Sequence, residues 1–200
     1  MASKSILSES GEIFYRETLP VGGASKGDIL LLHGMKFSSE TWLELKTLEK
    51  LAEWGYRAVA IDLPEYGNSK SAKLKGTQAD FIHGICQKLS INKPVIISPS
   101  MSGEFSLPYL IEHGNNMSGY VPVAPVSTGS YINQYSSVKV PTLIVYGDRD
   151  ATLGTTSFKH LSVIPNHTVL KIPNAGHACY LDQPDVWHNN LRDFLNTLNS

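Results

Sequence analysis

The sequence predicts an α/β fold with a mainly parallel sheet and helices on both faces. Short apolar runs rich in Val, Ile and Leu recur along the chain, and segments with helical periodicity separate them. The runs do not alternate between apolar and polar residues, which is typical of strands buried on both faces. Because alternating strands and helices connect as parallel neighbours, we expect residues 1–200 to form a single domain around one sheet.

The predicted elements follow one another in a regular order. An early strand is predicted at 12–19, and a strand at 28–34 ends in His-Gly. Apolar residues at steps of three and four predict one helix over 39–54, which Gly55 ends. Further strands are predicted at 56–62, 93–98, 119–126, 141–147 and 167–173, and further helices near 78–90, 102–113, 155–162 and 184–198. Only about fourteen residues separate VAPV from PTLIVYG, which is too short for a lid domain of several helices.

Composition excludes several classes of function. The chain has 17 basic and 18 acidic side chains, and this balance argues against a nucleic-acid or anionic-membrane partner. No apolar run approaches the length of about 18–20 residues that a bilayer requires, and the first residues show no export signal. The two cysteines lie far apart without metal-ligand spacing, which favours a reducing compartment, cytosol or nucleus, and no disulfide framework.

The ends of the predicted strands carry the chemically interesting residues, because ligands in such sheets lie at the carboxyl ends of strands. In chain order these ends read HGMKF, DLPEYGNS, SPSMSG, YGDRD and PNAGHACY. Three of them supply a serine, an aspartate and a histidine, in that order. This is the chain order of α/β-hydrolases, so we predict an α/β-hydrolase fold with no substantial lid domain.

A nucleophile elbow is a tight strand-to-helix turn with the nucleophile at its tip, and the residues two positions before and after it must be small. Within VIISPSMSGE only Ser100 qualifies, because it lies between Ser98 and Ser102. The other two serines would have Ile96 or Glu104 as a flanking residue. The usual motif has glycine at both flanks, and S-x-S-x-S alone is also typical of a polar loop or helix cap. The context decides between these interpretations: the motif follows a predicted strand and opens a predicted helix, which indicates that Ser100 is a nucleophile.

The predicted acid and base follow later strands. YGDRD offers Asp148, which directly follows Gly147 and suits a turn-fixing role, and Asp150, which lies further out. The residues alone leave both aspartates open as the acid, and analogy with the hydrolase loop favours Asp150. The predicted base is His177, on the loop before the last helix. The other histidines show no i, i+4 pairing with a carboxylate, so no metal site is predicted.

A serine hydroxyl needs a neutral imidazole to take its proton and a carboxylate to hold that imidazole. The oxyanion that then forms needs backbone N–H donors, and we expect these from Met101 and from Met35, with His33 bracing the second loop. Two interpretations of Lys36 stay open: it binds an anionic group of a substrate or acyl acceptor, or it is a solvated surface residue. Cys179 is interpreted as a small packing residue.

Several segments carry a family resemblance, among them LLLHGMKFSSETW, GYRAVAIDLPEYGNSK, VIISPSMSGEFSLPYL, PTLIVYGDRD and AGHACYLDQPDVWH. They are similar to the α/β-hydrolase domain-containing protein 14 family, and in particular to its soluble B-type branch, over nearly the whole chain. The S-P-S-x-S-G elbow is the family's own. By this resemblance the family's triad falls on Ser100, Asp150 and His177. Two departures are Glu65, where glycine is usual, and DATLGTTSF, which is one residue longer than the family loop.

The resemblance implies esterase activity on small acyl esters and protein-lysine deacetylation with transfer of the acetyl group to coenzyme A, in cytoplasm and nucleus. No tightly bound cofactor is expected, and coenzyme A is the expected acyl acceptor. Expected partners are acylated small molecules or acetyl-lysine proteins and a transcription-factor subunit, with no nucleic acid and no membrane, and we expect a monomer.

A competing hypothesis is an interaction module of the same fold that has lost catalysis, which the substituted elbow glycines favour. A dinucleotide-binding domain is disfavoured, because no G-x-G-x-x-G follows the first strand.

Overall fold

The computed structural model describes residues 1–199, which form one eight-stranded sheet. The strand order across the sheet is β1-β2-β4-β3-β5-β6-β7-β8. Strand β2 is antiparallel to both β1 and β4, and every other pair is parallel, which confirms the mainly parallel sheet. The strands are β1 (Ala2–Ser8), β2 (Gly11–Thr18), β3 (Asp28–Leu31), β4 (Arg57–Ile61), β5 (Val95–Pro99), β6 (Gly119–Val123), β7 (Thr142–Gly147) and β8 (His167–Ile172).

The helices cover both faces of the sheet, as predicted. They are α1 (Ser39–Glu44), α2 (Thr47–Glu53), α3 (Gln78–Lys88), α4 (Gly103–His113), α5 (Ile132–Tyr135), α6 (Leu153–Leu161), α7 (Cys179–Asp182) and α8 (Pro184–Leu198). Short 3-10 turns lie at Ser100–Ser102, Gly114–Asn116 and Thr128–Tyr131. Across residues 1–199 none of the helices is both long enough and apolar enough to cross a membrane.

Two apolar cores explain why the strands read as unbroken hydrophobic runs. In β5 the side chain of Ile96 packs into the core beneath α3 and α4, and the next residue, Ile97, packs into the core beneath α1, α2 and α8. Both side chains are fully buried. Because successive residues of a strand point to opposite faces, a sheet covered on both faces needs apolar residues at every position.

The structure corrects two predicted elements. The single helix predicted over 39–54 is two helices, α1 and α2, which Leu45 and Lys46 separate. Lys46 has φ of +67°, a left-handed conformation that interrupts a right-handed helix although the apolar spacing continues through it. Strand β1 was not predicted at all, because it is an edge strand of largely exposed residues and lacks an apolar signal.

The segment between β6 and β7 bears out the prediction that the domain has no substantial lid. It contains a 3-10 turn, Thr128–Tyr131, and the four-residue helix α5. Its first residues lie directly against the end of β5, where Val126 N–H donates to the Ser100 carbonyl at 3.0 Å. The segment therefore contains no lid domain of several long helices.

Candidate active site

The turn after β5 holds Ser100 in the geometry of a nucleophile elbow. Ser100 has φ of +51°, in the left-handed region that side chains with a Cβ rarely adopt. The turn passes through a 3-10 segment, Ser100–Ser102, into α4. A Cβ on Gly103 would lie only 2.7 Å from the Cβ of Pro125, so glycine lets α4 begin close to the loop after β6. Strand, turn and helix thus present the Ser100 hydroxyl at the edge of the sheet.

Ser100, His177 and Asp150 form one hydrogen-bonded chain across the ends of the strands. The Ser100 Oγ lies 2.8 Å from His177 Nε2, and His177 Nδ1 lies 2.7 Å from Asp150 Oδ2. A carboxylate can only accept, so Nδ1–H donates to Asp150 and Nε2 is left to accept the Ser100 hydroxyl. His177 is exposed, whereas Asp150 is 7% exposed. The imidazole of His177 therefore faces solvent, and the carboxylate of Asp150 orients it from within the protein.

The loop that carries His177 is fastened to the loop that carries Asp150. Arg149 N–H donates to the Ala175 carbonyl at 2.9 Å, and Asp148 Oδ1 accepts the Ala175 N–H at 3.1 Å. A Cβ on Gly147 would overlap the carbonyl oxygens of Ala175 and Gly176, so only glycine permits this close passage. These contacts between the two loops help to fix the distance between the Asp150 carboxylate and the His177 imidazole.

The structure separates the roles of the two aspartates that the sequence left open. Asp148 is exposed and accepts the Ala175 N–H, and this hydrogen bond holds the pKa of Asp148 below its ordinary value. It fixes the turn, as expected for the residue directly after Gly147. Asp150 reaches His177, and its Cβ packs against Gly154, where an added Cβ would lie at 2.8 Å.

Two backbone N–H groups lie on the segments next to Ser100. One belongs to Met101, the residue after Ser100, and the other to Met35. The Met35 loop passes close to the nucleophile, since a Cβ on Gly34 would lie 3.7 Å from the Cβ of Ser100. This is the pair that the sequence predicted as donors to an oxyanion.

His33 braces the Met35 loop as a neutral imidazole. Its Nδ1–H donates to the Gly34 carbonyl at 2.8 Å, and its Nε2 accepts the Leu63 N–H at 3.0 Å. The ring is 1% exposed, and desolvation by burial lowers the pKa of His33 below the ordinary value of 6.5. A proton on Nε2 would remove the acceptor for Leu63.

We expect the stability of the protein to fall as the pH is lowered below about 6.5, partly because of His33. Its folded pKa is lowered, so the unfolded chain binds the proton first and protonation favours unfolding. One such histidine adds a slope of up to about 1.4 kcal/mol per pH unit to the free energy of unfolding. Urea unfolding between pH 7.5 and 5.5 measures how the free energy of unfolding changes with pH. This change should be smaller for His33→Gln than for the natural protein. An unchanged slope would contradict this role. His188, whose pKa burial lowers to about 4, contributes to both proteins alike.

A buried carboxylate, that of Asp62, holds together two segments near the Met35 loop. Asp62, at the end of β4, is fully buried and accepts N–H groups from Ser39 at 2.7 Å and from Asn68 at 2.8 Å. It thereby ties the start of α1 to the loop 64–69. Glu65 on that loop has φ of +77°, which explains why glycine is the usual residue there.

A cleft of about 460 Å³ opens beside the Met35 loop. Its charged lining residues are Lys36, Glu40, Glu44 and Glu65, so three carboxylates face one ammonium. Lys36 is exposed at this mouth. The cleft is thus negative overall, which suits a neutral or cationic group better than an anionic one.

Sequence reasoning missed a set of buried hydroxyls under the elbow. The hydroxyls of Ser98, Ser102, Ser106 and Tyr120 form consecutive hydrogen bonds. The serines recur at steps of four residues, a spacing that places the two on the helical segment above one another and could have revealed the set. Cys179 is fully buried, and burial raises the pKa of its thiol to about 12, in keeping with the packing role expected from the sequence.

Comparison with known proteins identifies the family of the chain. The family described as "alpha/beta hydrolase fold" matches residues 29–130. Human ABHD14B, named as a candidate protein-lysine deacylase, is 51% identical over 193 residues, which cover 93% of this chain and 91% of that protein. Human ABHD14A is 45% identical over 190 residues, covering 93% and 70% respectively.

Solved structures show the same fold at lower identity. A CIB-like hydrolase from Thermoplasma acidophilum has a TM-score of 0.88 at 23% identity, covering 98% of this chain and 99% of that one. A thermophilic esterase from Thermogutta terrifontis has a TM-score of 0.81 at 16% identity, with full coverage of both chains. These likenesses establish the α/β-hydrolase fold.

Proposed function

The chain belongs to the α/β-hydrolase fold family, among its ABHD14 members, and from that premise we propose that it is a serine hydrolase of short acyl groups. Ser100 is the nucleophile, His177 the general base and acid, and Asp150 the carboxylate that orients the imidazole. The observation that carries the proposal is the continuous chain of hydrogen bonds, 2.8 and 2.7 Å long, through these three side chains.

In the acylation step the Ser100 Oγ attacks the carbonyl carbon of the acyl group while its proton passes to His177 Nε2. The negative charge on Asp150 stabilises the imidazolium that forms. When the tetrahedral intermediate collapses, His177 returns the proton to the departing alcohol or amine, and the acyl group stays on Ser100 as an ester. A second nucleophile, water or a thiol, then attacks the acyl carbon and gives its proton to His177. As the ester bond to Ser100 breaks, His177 returns that proton to the Ser100 Oγ, and the acyl group leaves as the acid or the thioester.

The tetrahedral oxyanion lies between the N–H groups of Met35 and Met101. Each such donor typically lowers the barrier by about 3–4 kcal/mol. The Met101 N–H is fixed by the turn that holds Ser100, and the Met35 N–H by the buried imidazole of His33.

The substrate class that we propose is the acyl-lysine side chain of proteins, together with small acyl esters. The name of human ABHD14B supports the first. Two features of the site are compatible with it: no multi-helix lid follows β6, and the cleft beside Met35 has a negative lining that suits a lysine leaving group. Coenzyme A is the proposed acceptor of the acyl group, with its thiol in the role of the second nucleophile.

The proposal is tested by following acetyl-lysine peptides with and without coenzyme A. We expect loss of the acetyl group from the peptide, formation of acetyl-coenzyme A when coenzyme A is present, and neither product with Ser100→Ala. Mass spectrometry of peptide and thioester measures both products. Turnover of p-nitrophenyl acetate without peptide deacetylation in either condition would leave a plain esterase.

A fluorophosphonate probe distinguishes an enzyme from an interaction module of the same fold. Such a probe phosphonylates a serine only when a neighbouring base activates it. Labelling of the natural protein that disappears in Ser100→Ala supports the enzyme, and Ser98→Ala is a control for reaction at a neighbouring serine. A natural protein that takes up no probe would contradict the proposed function.

A further inference from the structure

The two positions that flank the nucleophile carry serines where the usual elbow has glycines, and both serines are fully buried. Their hydroxyls face into the protein beneath the elbow. Ser98 Oγ lies 2.9 Å from Ser102 Oγ and 2.6 Å from Ser106 Oγ, and Ser106 Oγ lies 2.8 Å from the hydroxyl of Tyr120. All four groups are fully buried, and within residues 1–199 their hydrogen-bond partners are one another and the Pro99 carbonyl.

The direction of every hydrogen bond in this set follows from one contact to the backbone. Ser102 Oγ donates its single proton to the Pro99 carbonyl at 2.7 Å, so in its contact with Ser98 it can only accept. Ser98 therefore donates to Ser102, Ser106 donates to Ser98, and Tyr120 donates to Ser106. We call this set the hydroxyl chain. It runs one way, from Tyr120 to the carbonyl of the residue before Ser100.

The hydroxyl chain joins the elements whose relative position defines the elbow. Ser98 lies on β5, Ser102 at the end of the 3-10 turn, Ser106 on α4 and Tyr120 on β6. Ser100 and Met101 lie between its two points of attachment, Pro99 and Ser102. Burial raises the pKa of Tyr120 far above its ordinary value, which keeps this first donor protonated.

We infer that the hydroxyl chain positions the nucleophile: Ser98, Ser102, Ser106 and Tyr120 are positioning residues that hold the Ser100 Oγ and the Met101 N–H in register for acyl transfer. The inference rests on the proposed function. The hydroxyl chain holds the elbow in place by hydrogen bonds, whereas an elbow with glycines is held by close backbone packing. A shift of the elbow by a fraction of an ångström would lengthen the Ser100–His177 contact and misalign the Met101 N–H, and a misplacement of about 1 Å can cost about 100-fold in rate.

The test compares Tyr120→Phe with Tyr135→Phe on p-nitrophenyl acetate. Tyr135 is the matched control, because it is also fully buried and its hydroxyl donates to the Thr128 carbonyl at 2.6 Å, outside the hydroxyl chain. We expect Tyr120→Phe to lower kcat about tenfold with KM nearly unchanged. Tyr135→Phe should lose stability to a similar degree and keep its kcat.

Two further comparisons separate positioning from packing. Ser102→Thr and Ser102→Val have the same shape, but only threonine keeps the hydroxyl, so Thr should retain most of kcat and Val should not. Ser98→Gly restores the usual small residue while interrupting the hydroxyl chain, and we expect its kcat to fall by about tenfold or more. Urea unfolding of each variant confirms that the folded fraction is the same in every assay.

The outcomes distinguish this inference from the proposed function. Equal kcat in the natural protein, Tyr120→Phe and Ser98→Gly would overturn the inference alone, provided that the fluorophosphonate labels the natural protein. An equal loss of kcat in Tyr135→Phe would also overturn it, because the effect would then be one of core stability. A natural protein that is neither labelled nor active would overturn both.

Discussion

Replacing Ser100 by alanine is expected to lower kcat on p-nitrophenyl acetate by at least about 10⁴-fold, because a serine triad acts as a unit and no other hydroxyl can take over the attack. The nearest serines, Ser98 and Ser102, are fully buried and their hydroxyls are engaged in the hydroxyl chain. Steady-state hydrolysis, corrected for the spontaneous rate, measures the effect. Residual activity within about tenfold of the natural protein would mean that another group is the nucleophile.

The same position should reveal the cost of the strained elbow. Ser100 and an alanine in its place both keep a Cβ at φ of +51°, which disfavours the folded state by about 1–2 kcal/mol. Ser100→Gly removes this strain, although glycine also gives the unfolded chain more freedom. We expect Ser100→Gly to be the more stable of the two inactive variants by about 1 kcal/mol in urea unfolding. A glycine variant less stable than the alanine variant would show that the strain at this position is smaller than the entropy that glycine adds to the unfolded chain.

Asp150→Asn is expected to lower kcat by about 10⁴-fold, the size of effect known for the corresponding change in a serine protease triad. An asparagine amide can donate to His177 Nδ1, which would turn the imidazole to the tautomer with Nε2–H and leave no acceptor for the Ser100 proton. The overall fold should be unchanged, because aspartate and asparagine have nearly the same shape. Kinetics from pH 6 to 9 measure the loss.

Asp148→Asn is the matched control, since Asp148 lies two residues away on the same loop. Its carboxylate is exposed and accepts the Ala175 N–H, and an asparagine oxygen can accept the same hydrogen bond. We therefore expect kcat to change by less than about threefold, within what surface changes of about 0.5 kcal/mol produce. A large loss at Asp148 together with a small one at Asp150 would reverse the assignment of the two aspartates.

The candidate site could be predicted from the sequence to the extent that local rules constrain it. Only Ser100 has small residues on both sides within a strand-to-helix turn, and the positive φ at Ser100 shows why the flanking positions must be small. The choice between Asp148 and Asp150 could not be made in this way. Both follow Gly147 within three residues, and both contact the loop 175–177. The distinction depends on the group that each carboxylate meets there, which is the Ala175 N–H for Asp148 and the His177 imidazole for Asp150.

The predicted elements failed where a tertiary contact or a single backbone angle overrides the local pattern. The apolar spacing of 39–54 continues through Lys46, yet its left-handed conformation divides the segment into α1 and α2. Strand β1 pairs with β2 through its backbone, and backbone pairing leaves no mark on side-chain composition.

The sequence by itself determined the α/β class, the alternation of strands and helical segments from β2 onward and the residue types at each strand end, because hydrophobic periodicity and turn chemistry are local properties. Only the tertiary structure decided which of those residues meet. Ser100, Asp150 and His177 come together because parallel strands deliver their carboxyl ends to one edge of the sheet, and the hydroxyl chain closes because Tyr120 on β6 lies beneath α4. Such contacts depend on distances in space, and these cannot be read from the spacing of residues along the chain.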